Sequence, residues 1–167
     1  FNALPAVVKR LGGKWAKLNG KKVVYVTSRA IAPKALADGL VLNLPAFRVY
    51  WFKGGKVAGA FPVALGKQFD PKQDNETRWH TPEGLMHVLF KSRHETWHVP
   101  KDLQKEMKVP RSEIPYGHKD YPLGEAKLQI TNDGIMMHGT NSARSIGRLA
   151  SHGCVRLWAK DIIALYN

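Results

Sequence analysis

From Gly39 onward the chain reads as short β-strands punctuated by glycine turns, and this alternation narrows the folds it can adopt. Leu40-Val41-Leu42-Asn43-Leu44 and Phe47-Arg48-Val49-Tyr50-Trp51-Phe52 are rich in β-branched and aromatic residues, which fit a pleated, half-buried surface. Gly54-Gly55 then turns the chain into Lys56 to Leu65, the pattern of a hairpin. Thr81-Pro82-Glu83-Gly84 predicts a turn leading into a strand over Leu85 to Phe90. Ala126 to Ile130 and Ile135 to His138 predict two strands meeting at Asn132-Asp133-Gly134. Residues 66–80 and 91–123 are polar, with many Pro, Gly and His, and read as long loops with one short helix at Lys101 to Met107. Loops of that length in a compact domain are usually functional. After Arg156 the spacing changes: Ile162, Ile163, Leu165 and Tyr166 follow Asp161, predicting a short terminal helix. The expectation is a mostly β fold with short helices.

Residues 1–38 stand apart by charge. They carry Lys9, Arg10, Lys14, Lys17, Lys21, Lys22, Arg29 and Lys34 against a single acid, Asp38. Val23-Val24-Tyr25-Val26-Thr27 reads as a strand, Trp15 to Val26 as a small hairpin turning at Asn19-Gly20, and Ala30 to Ala37 as a short turn or helix. The segment is expected to be a basic lead-in with a solvated surface, or the remnant of an upstream module, and residues 39–167 the main domain. Over the whole chain 26 Lys+Arg oppose 13 Asp+Glu, a net charge of +13. Such a balance favours polyanionic partners: nucleic acid, an anionic lipid surface or an acidic wall polymer. No zinc-finger, helix-turn-helix or RNP-type pattern supports nucleic acid. No apolar run approaches the ~18 residues of a membrane span. Phe1 opens the chain with neither a basic start nor an apolar core segment, so no signal peptide is read; a start other than Met reads as a mature or trimmed chain and does not argue for the cytoplasm.

Cys154 is the sole cysteine, so no internal disulfide can form. It lies in Ser151-His152-Gly153-Cys154-Val155-Arg156-Leu157, with His138-Gly139-Thr140 upstream. A lone thiol is ordinarily a small buried hydrophobe, but neighbouring imidazoles and positive charge favour the thiolate, the nucleophilic form. Gly153 lets backbone approach a substrate with an N–H facing a developing oxyanion. His138, at a predicted strand end, is the best base: a strand end holds the ring while leaving its edge open to a cleft. His152 either adds positive charge or shapes the loop. Ser151 reads as a brace. Arg156 offers a planar fork for a substrate carboxylate, or else holds loop carbonyls. Thr140, Asn141 and Ser145 read as supporting hydrogen-bonding groups. His94 and His98 stand four apart, a spacing that can bind zinc on a helix. Thr96-Trp97 between them and Pro100 after them argue against a helix, no third ligand is evident, and no metal is expected. His80, His87 and His118 read as loop or edge residues. Trp79, Trp97, Tyr116 and Tyr121 suit either a substrate groove or ordinary packing.

The cysteine block resembles the L,D-transpeptidase (YkuD-type) catalytic domain: His138, twelve intervening residues, then Ser151-His152-Gly153-Cys154, one variable residue and Arg156. Ile135-Met136-Met137-His138-Gly139-Thr140-Asn141, Ser145-Ile146-Gly147, Thr81-Pro82-Glu83-Gly84, Thr96-Trp97-His98-Val99-Pro100 and Tyr121-Pro122-Leu123-Gly124 extend the resemblance, in order, over roughly residues 39–167. It implies a mixed β-sandwich or barrel-like pair of sheets. It implies catalytic roles for Cys154, His138, His152, Gly153, Ser151 and Arg156, and substrate contacts from Gly139, Thr140, Asn141 and Tyr121. The activity implied is a thioester-forming peptidoglycan transferase that makes 3→3 crosslinks, is inactivated by carbapenems, and uses no cofactor or metal. Its partners would be donor tetrapeptide stems and amine acceptors, with no nucleic acid and no oligomeric state specified. Its place would be outside the cytoplasmic membrane, in periplasm or cell wall, serving wall biogenesis and cell shape. The alternatives are an L,D-carboxypeptidase trimming stems, attachment of a lipoprotein Lys, or a basic binding module with an inert thiol. The family continues past the terminal helix into a further strand, so a chain ending at Asn167 reads as trimmed or as closing its sheet differently.

Overall fold

The structure is a computed structural model that describes residues 14–18, 21–25, 37–67, 79–106 and 111–167. The chain divides into two compact units, Phe1–Pro33 and Lys34–Asn167. In the first, β1 (Lys14–Leu18) pairs antiparallel with β2 (Lys21–Tyr25), with Lys14 opposite Tyr25 and Leu18 opposite Lys21. The predicted turn at Asn19-Gly20, Val26-Thr27 and residues 30–36 lie outside the described residues.

The second unit opens with an antiparallel three-stranded sheet of β3 (Gly39–Asn43), β4 (Arg48–Lys53) and β5 (Lys56–Pro62). Gly54 (φ +56°) and Gly55 (φ +74°) both occupy the left-handed region, which a two-residue hairpin turn of this type requires and which glycine alone adopts freely. β6 (Leu65–Gly66) pairs in parallel with β12 (Leu149–Ser151). A four-stranded sheet is ordered β13-β11-β10-β7, from β7 (Phe90–Ser92), β10 (Lys127–Gln129), β11 (Met136–His138) and β13 (Val155–Arg156). β8 (Trp97–His98) and β9 (Glu113–Ile114) form a two-stranded pair. α1 (Lys101–Glu106), a 3-10 turn at Ala143–Ser145 and α2 (Ala159–Tyr166) complete the unit.

The two-residue period of a strand sends alternate side chains to opposite faces. On one face of the four-stranded sheet Leu128, Met137 and Val155 join Val49, Val63, Leu65, Leu157 and Ile162 in the main core. On the other, Met136 belongs to a smaller cluster with Val99, Ile114, Tyr121 and Leu123, against which Cys154 packs. Burial of each aliphatic side chain contributes about 1.5–3 kcal/mol.

Several expectations need correction. Residues 85–89 form no strand, and Leu85 is 90% exposed. β10 ends at Gln129, and the next amides, Ile130 and Thr131, bond Ile135 in the turn to β11. Beyond the Leu89 amide, which donates to Gln129 O at 2.8 Å, a strand over Leu85 to Val88 would therefore find no partner in β10. Within residues 91–123 the expected short helix is present as α1, but the rest is not simply loop, since it also holds the end of β7 and the strands β8 and β9. The sheets among the described residues are separate and do not close into a barrel. His94 adopts φ +57° and His98 lies in β8, so helical spacing does not relate them. They bond different carboxylates, Glu125 at 3.1 Å and Glu113 at 3.2 Å. Among the described residues no helix is long and apolar enough to cross a membrane.

Candidate active site

β11 and β13 run parallel, with Met137 beside Val155 and His138 beside Arg156. Alternation therefore places His138 and Arg156 on the same face, with Met136 and Cys154 one step back. His138 and Cys154 are diagonal neighbours, within reach across a sheet for long side chains.

His138 is only 3% exposed. Its Nδ1 lies 2.5 Å from the Gly139 carbonyl oxygen. A carbonyl only accepts, so Nδ1 carries the proton and Nε2 keeps its lone pair as a base. Burial, followed by the Arg156 charge, pulls the His138 pKa down to about 4, against the opposing pull of the Gly139 bond. The Gly139 carbonyl is itself held. The Gly139 amide donates to Ala126 O at 3.1 Å, and the backbone of Gly124 (φ +65°) packs so close that a Cβ there would lie 2.8 Å from Gly139 Cα.

Cys154 is half-buried, and its Sγ donates to the Gly134 carbonyl at 3.8 Å. Burial raises its pKa above the usual thiol value; a Met136 backbone bond and Arg156 oppose this, while Asp133 reinforces it. This corrects the expectation of a thiol driven to ionise by its surroundings: desolvation outweighs the nearby positive charge. At rest the site holds a thiol and a neutral imidazole.

The loop between β12 and β13 is fixed from both sides. Thr81 Oγ1 donates to Gly153 O at 3.0 Å and accepts from Gly66 N at 2.8 Å. Ser151 Oγ donates to Cys154 O at 2.5 Å. A trans peptide points its N–H opposite its C=O, so anchoring Gly153 O on Thr81 aims the Cys154 amide away from the Thr81 side. Gly153 adopts φ +104°, and a Cβ there would lie 2.6 Å from Ile135 Cδ1. His152 is half-buried with its ring edge-on to Trp79, 4.5 Å between centroids. Arg156 is half-buried, and its Nε is buried with no hydrogen-bond partner. Burial lowers its pKa. Tyr121 packs in the cluster that Cys154 joins, and its hydroxyl donates to Glu95 O at 2.8 Å.

Thr140 and Asn141 lie further out. Thr140 Oγ1 accepts from Ser142 N at 3.0 Å, Ser145 Oγ donates to Ser142 O at 2.7 Å, and Asn141 is exposed. Thr81 is the residue that sequence reasoning recorded only as part of a turn. Its partners lie 15 and 72 positions away, and no local spacing signals that. An apolar groove of about 1080 Å³, lined by Leu40, Phe47, Ile135, Met137 and Val155 among others, lies against the core face of the sheet rather than the Cys154 face.

A thiol, an oriented imidazole, a pinned backbone loop and a half-buried guanidinium share one sheet face, an arrangement chemically capable of thiol-dependent acyl transfer. Residues 37–167 match the family model of the L,D-transpeptidase catalytic domain (YkuD), and the chain belongs to that family. Two relatives come from Escherichia coli (strain K12). "Probable L,D-transpeptidase YcfS" is 26% identical over 151 residues, covering 87% of this chain and 45% of that protein. "Probable L,D-transpeptidase YbiS" is 28% identical over 152 residues, covering 89% and 47%. The chain thus spans about half the length of these relatives. A solved structure described as LD transpeptidase LdtMt1 in complex with imipenem superposes with a TM-score of 0.54 at 21% identity, covering 92% of this chain and 72% of that one. The likeness is one of fold: mostly strands with two short helices.

Proposed function

We propose that this chain is a cysteine-dependent L,D-transpeptidase acting on peptidoglycan stem peptides. The observation that carries it is the tautomer of His138: Nδ1–H held by Gly139 O leaves Nε2 basic on the face that bears Cys154. In the proposed first step the Cys154 proton moves to Nε2 and the sulfur attacks the carbonyl of the third stem residue, a diamino acid. Backbone N–H groups around His152, Gly153 and Cys154 receive the oxyanion. The imidazolium then protonates the departing D-Ala amine, leaving a thioester. A side-chain amine of a neighbouring stem attacks the thioester and gives its proton to His138. The sulfur leaves, and a 3→3 crosslink results. The buried, unpaired Nε of Arg156 suits a carboxylate on the donor stem. Gly139, Thr140, Asn141 and Tyr121 are proposed to border the bound peptide. A protein of like fold is described in complex with imipenem, and the proposed mechanism makes Cys154 the group that a carbapenem would acylate. Such a substrate places the protein beyond the cytoplasmic membrane, in periplasm or wall.

The same thioester given to water would make an L,D-carboxypeptidase, and given to a lipoprotein Lys would anchor that protein to the wall. Incubation with tetrapeptide muropeptides followed by mass analysis separates the outcomes. Crosslinked dimers support the transpeptidase; tripeptides alone support the hydrolase. Neither product, with Cys154 intact, removes both and leaves the basic binding module.

A further inference from the structure

Three strand pairings run one row of side chains across the four-stranded sheet. Ser92 of β7 faces Lys127 of β10, Lys127 faces His138 of β11, and His138 faces Arg156 of β13. Paired residues project to the same face with Cβ atoms about 4.5–5.5 Å apart. His138 therefore stands between two cationic side chains, with the Cys154 thiol diagonal to it. The Lys127 side chain is 15% exposed, with its Nζ 5.7 Å from the centre of the Phe90 ring. Its ammonium pairs at 2.8 Å with Oε2 of Glu95, which also accepts from Ser92 Oγ at 2.8 Å. The Glu95 backbone carbonyl accepts the Tyr121 hydroxyl. Glu95 thus reaches two places around the site: its carboxylate pairs with the ammonium of Lys127, the residue opposite His138 in the β10–β11 register, and its carbonyl holds an aromatic side chain in the cluster around Cys154.

Building on the acyl-transfer reading above, we propose that Glu95 is a positioning residue for the Cys154–His138 pair: its carboxylate cancels the Lys127 charge beside the imidazole, so that His138 can hold the proton it takes from the thiol. Arg156 already disfavours an imidazolium at this place. Lys127 stands opposite His138 in the register and its side chain is largely buried, so a second uncancelled cation in the same row adds to that penalty, because charges interact more strongly where little water remains. The remaining groups in play are Cys154 beside His138, and His98 acting on Glu95.

The test is the titration midpoint of the His138 ring by NMR, assigned by its loss in H138Q, in protein with no substrate bound. In Glu95→Gln the midpoint falls by about half a pH unit, and acyl transfer at neutral pH falls about threefold, the same free energy read two ways. In Lys127→Met the midpoint rises; in the double variant it returns to the wild-type value; Lys127→Arg leaves it unchanged. Raising NaCl from 0.05 to 0.5 M shrinks the shifts, as screening requires. A merely structural role for Glu95 gives the opposite sign, because a loosened site exposes the ring and moves its midpoint up toward 6.5. A midpoint unchanged or raised in Glu95→Gln overturns the proposal, and so does a double variant that fails to restore it. If Glu95→Gln does not fold, the comparison of Lys127→Met with Lys127→Arg decides: a rise in the first alone supports the charge effect, and equal values overturn it. The NMR midpoint requires no catalysis, so a protein that shows these shifts yet joins no muropeptides loses the transpeptidase assignment while the charge relation stands.

Discussion

His138 ties acidity to both stability and chemistry. Its pKa is lowered from 6.5 to about 4 by burial and by Arg156. A group with a depressed folded pKa contributes stability that is present above 6.5 and lost as pH falls through about 4, because the unfolded chain takes up the proton first. The loss expected from this one ring is about 3 kcal/mol. Urea midpoints of wild type and His138→Gln, measured at pH 7.5 and near pH 4, check it: the wild-type midpoint falls more steeply. His138→Gln also lowers the rate of acylation by imipenem at least a hundredfold, the scale of a lost general base, which intact-mass kinetics measures. The raised thiol pKa predicts that iodoacetamide alkylation of Cys154 accelerates with pH, with a midpoint above that of a free cysteine. A midpoint below it would show that the surroundings favour the thiolate after all.

Among the elements, the loop between β12 and β13 and the segment carrying Thr81 act as one unit. Thr81→Val keeps the shape and removes the hydroxyl, leaving Gly66 N and Gly153 O unpaired in a buried place. Each such group costs about 1–3 kcal/mol. The variant is expected to melt several degrees lower and to acylate about tenfold more slowly, while Thr81→Ser retains both properties. Calorimetry with carbapenem kinetics measures the pair of effects. Position 153 responds through backbone conformation: Gly153→Ala meets Ile135 and must hold φ +104°, so its acylation defect should exceed that of Ser151→Ala. α2 depends on packing, since Ile162 is fully buried and is part of the main core. Ile162→Ala is expected to cost about 2–5 kcal/mol, read as a drop in the urea midpoint.

For the molecule as a whole, the net charge of +13 predicts retention on isolated anionic wall polymer that weakens steeply between about 0.05 and 0.5 M NaCl. Salt-independent retention would mean that specific contacts, not net charge, hold it. The sequence alone settled the strand-rich character, the Gly54-Gly55 hairpin and the terminal helix. It also picked out Cys154 and His138, because side-chain period, left-handed turns and short motifs are local properties written in consecutive residues. It misjudged Leu85 to Leu89, because a strand exists only where another strand offers its hydrogen bonds, and β10, the partner of β7, stops at Gln129. It could not show that Thr81 braces Gly153, nor that Lys127 and Arg156 flank His138, because those pairings join residues distant in the chain. The protonation state of the thiol was likewise decided by the tertiary structure: composition counts charges, whereas a pKa depends on how much water packing removes from around the sulfur.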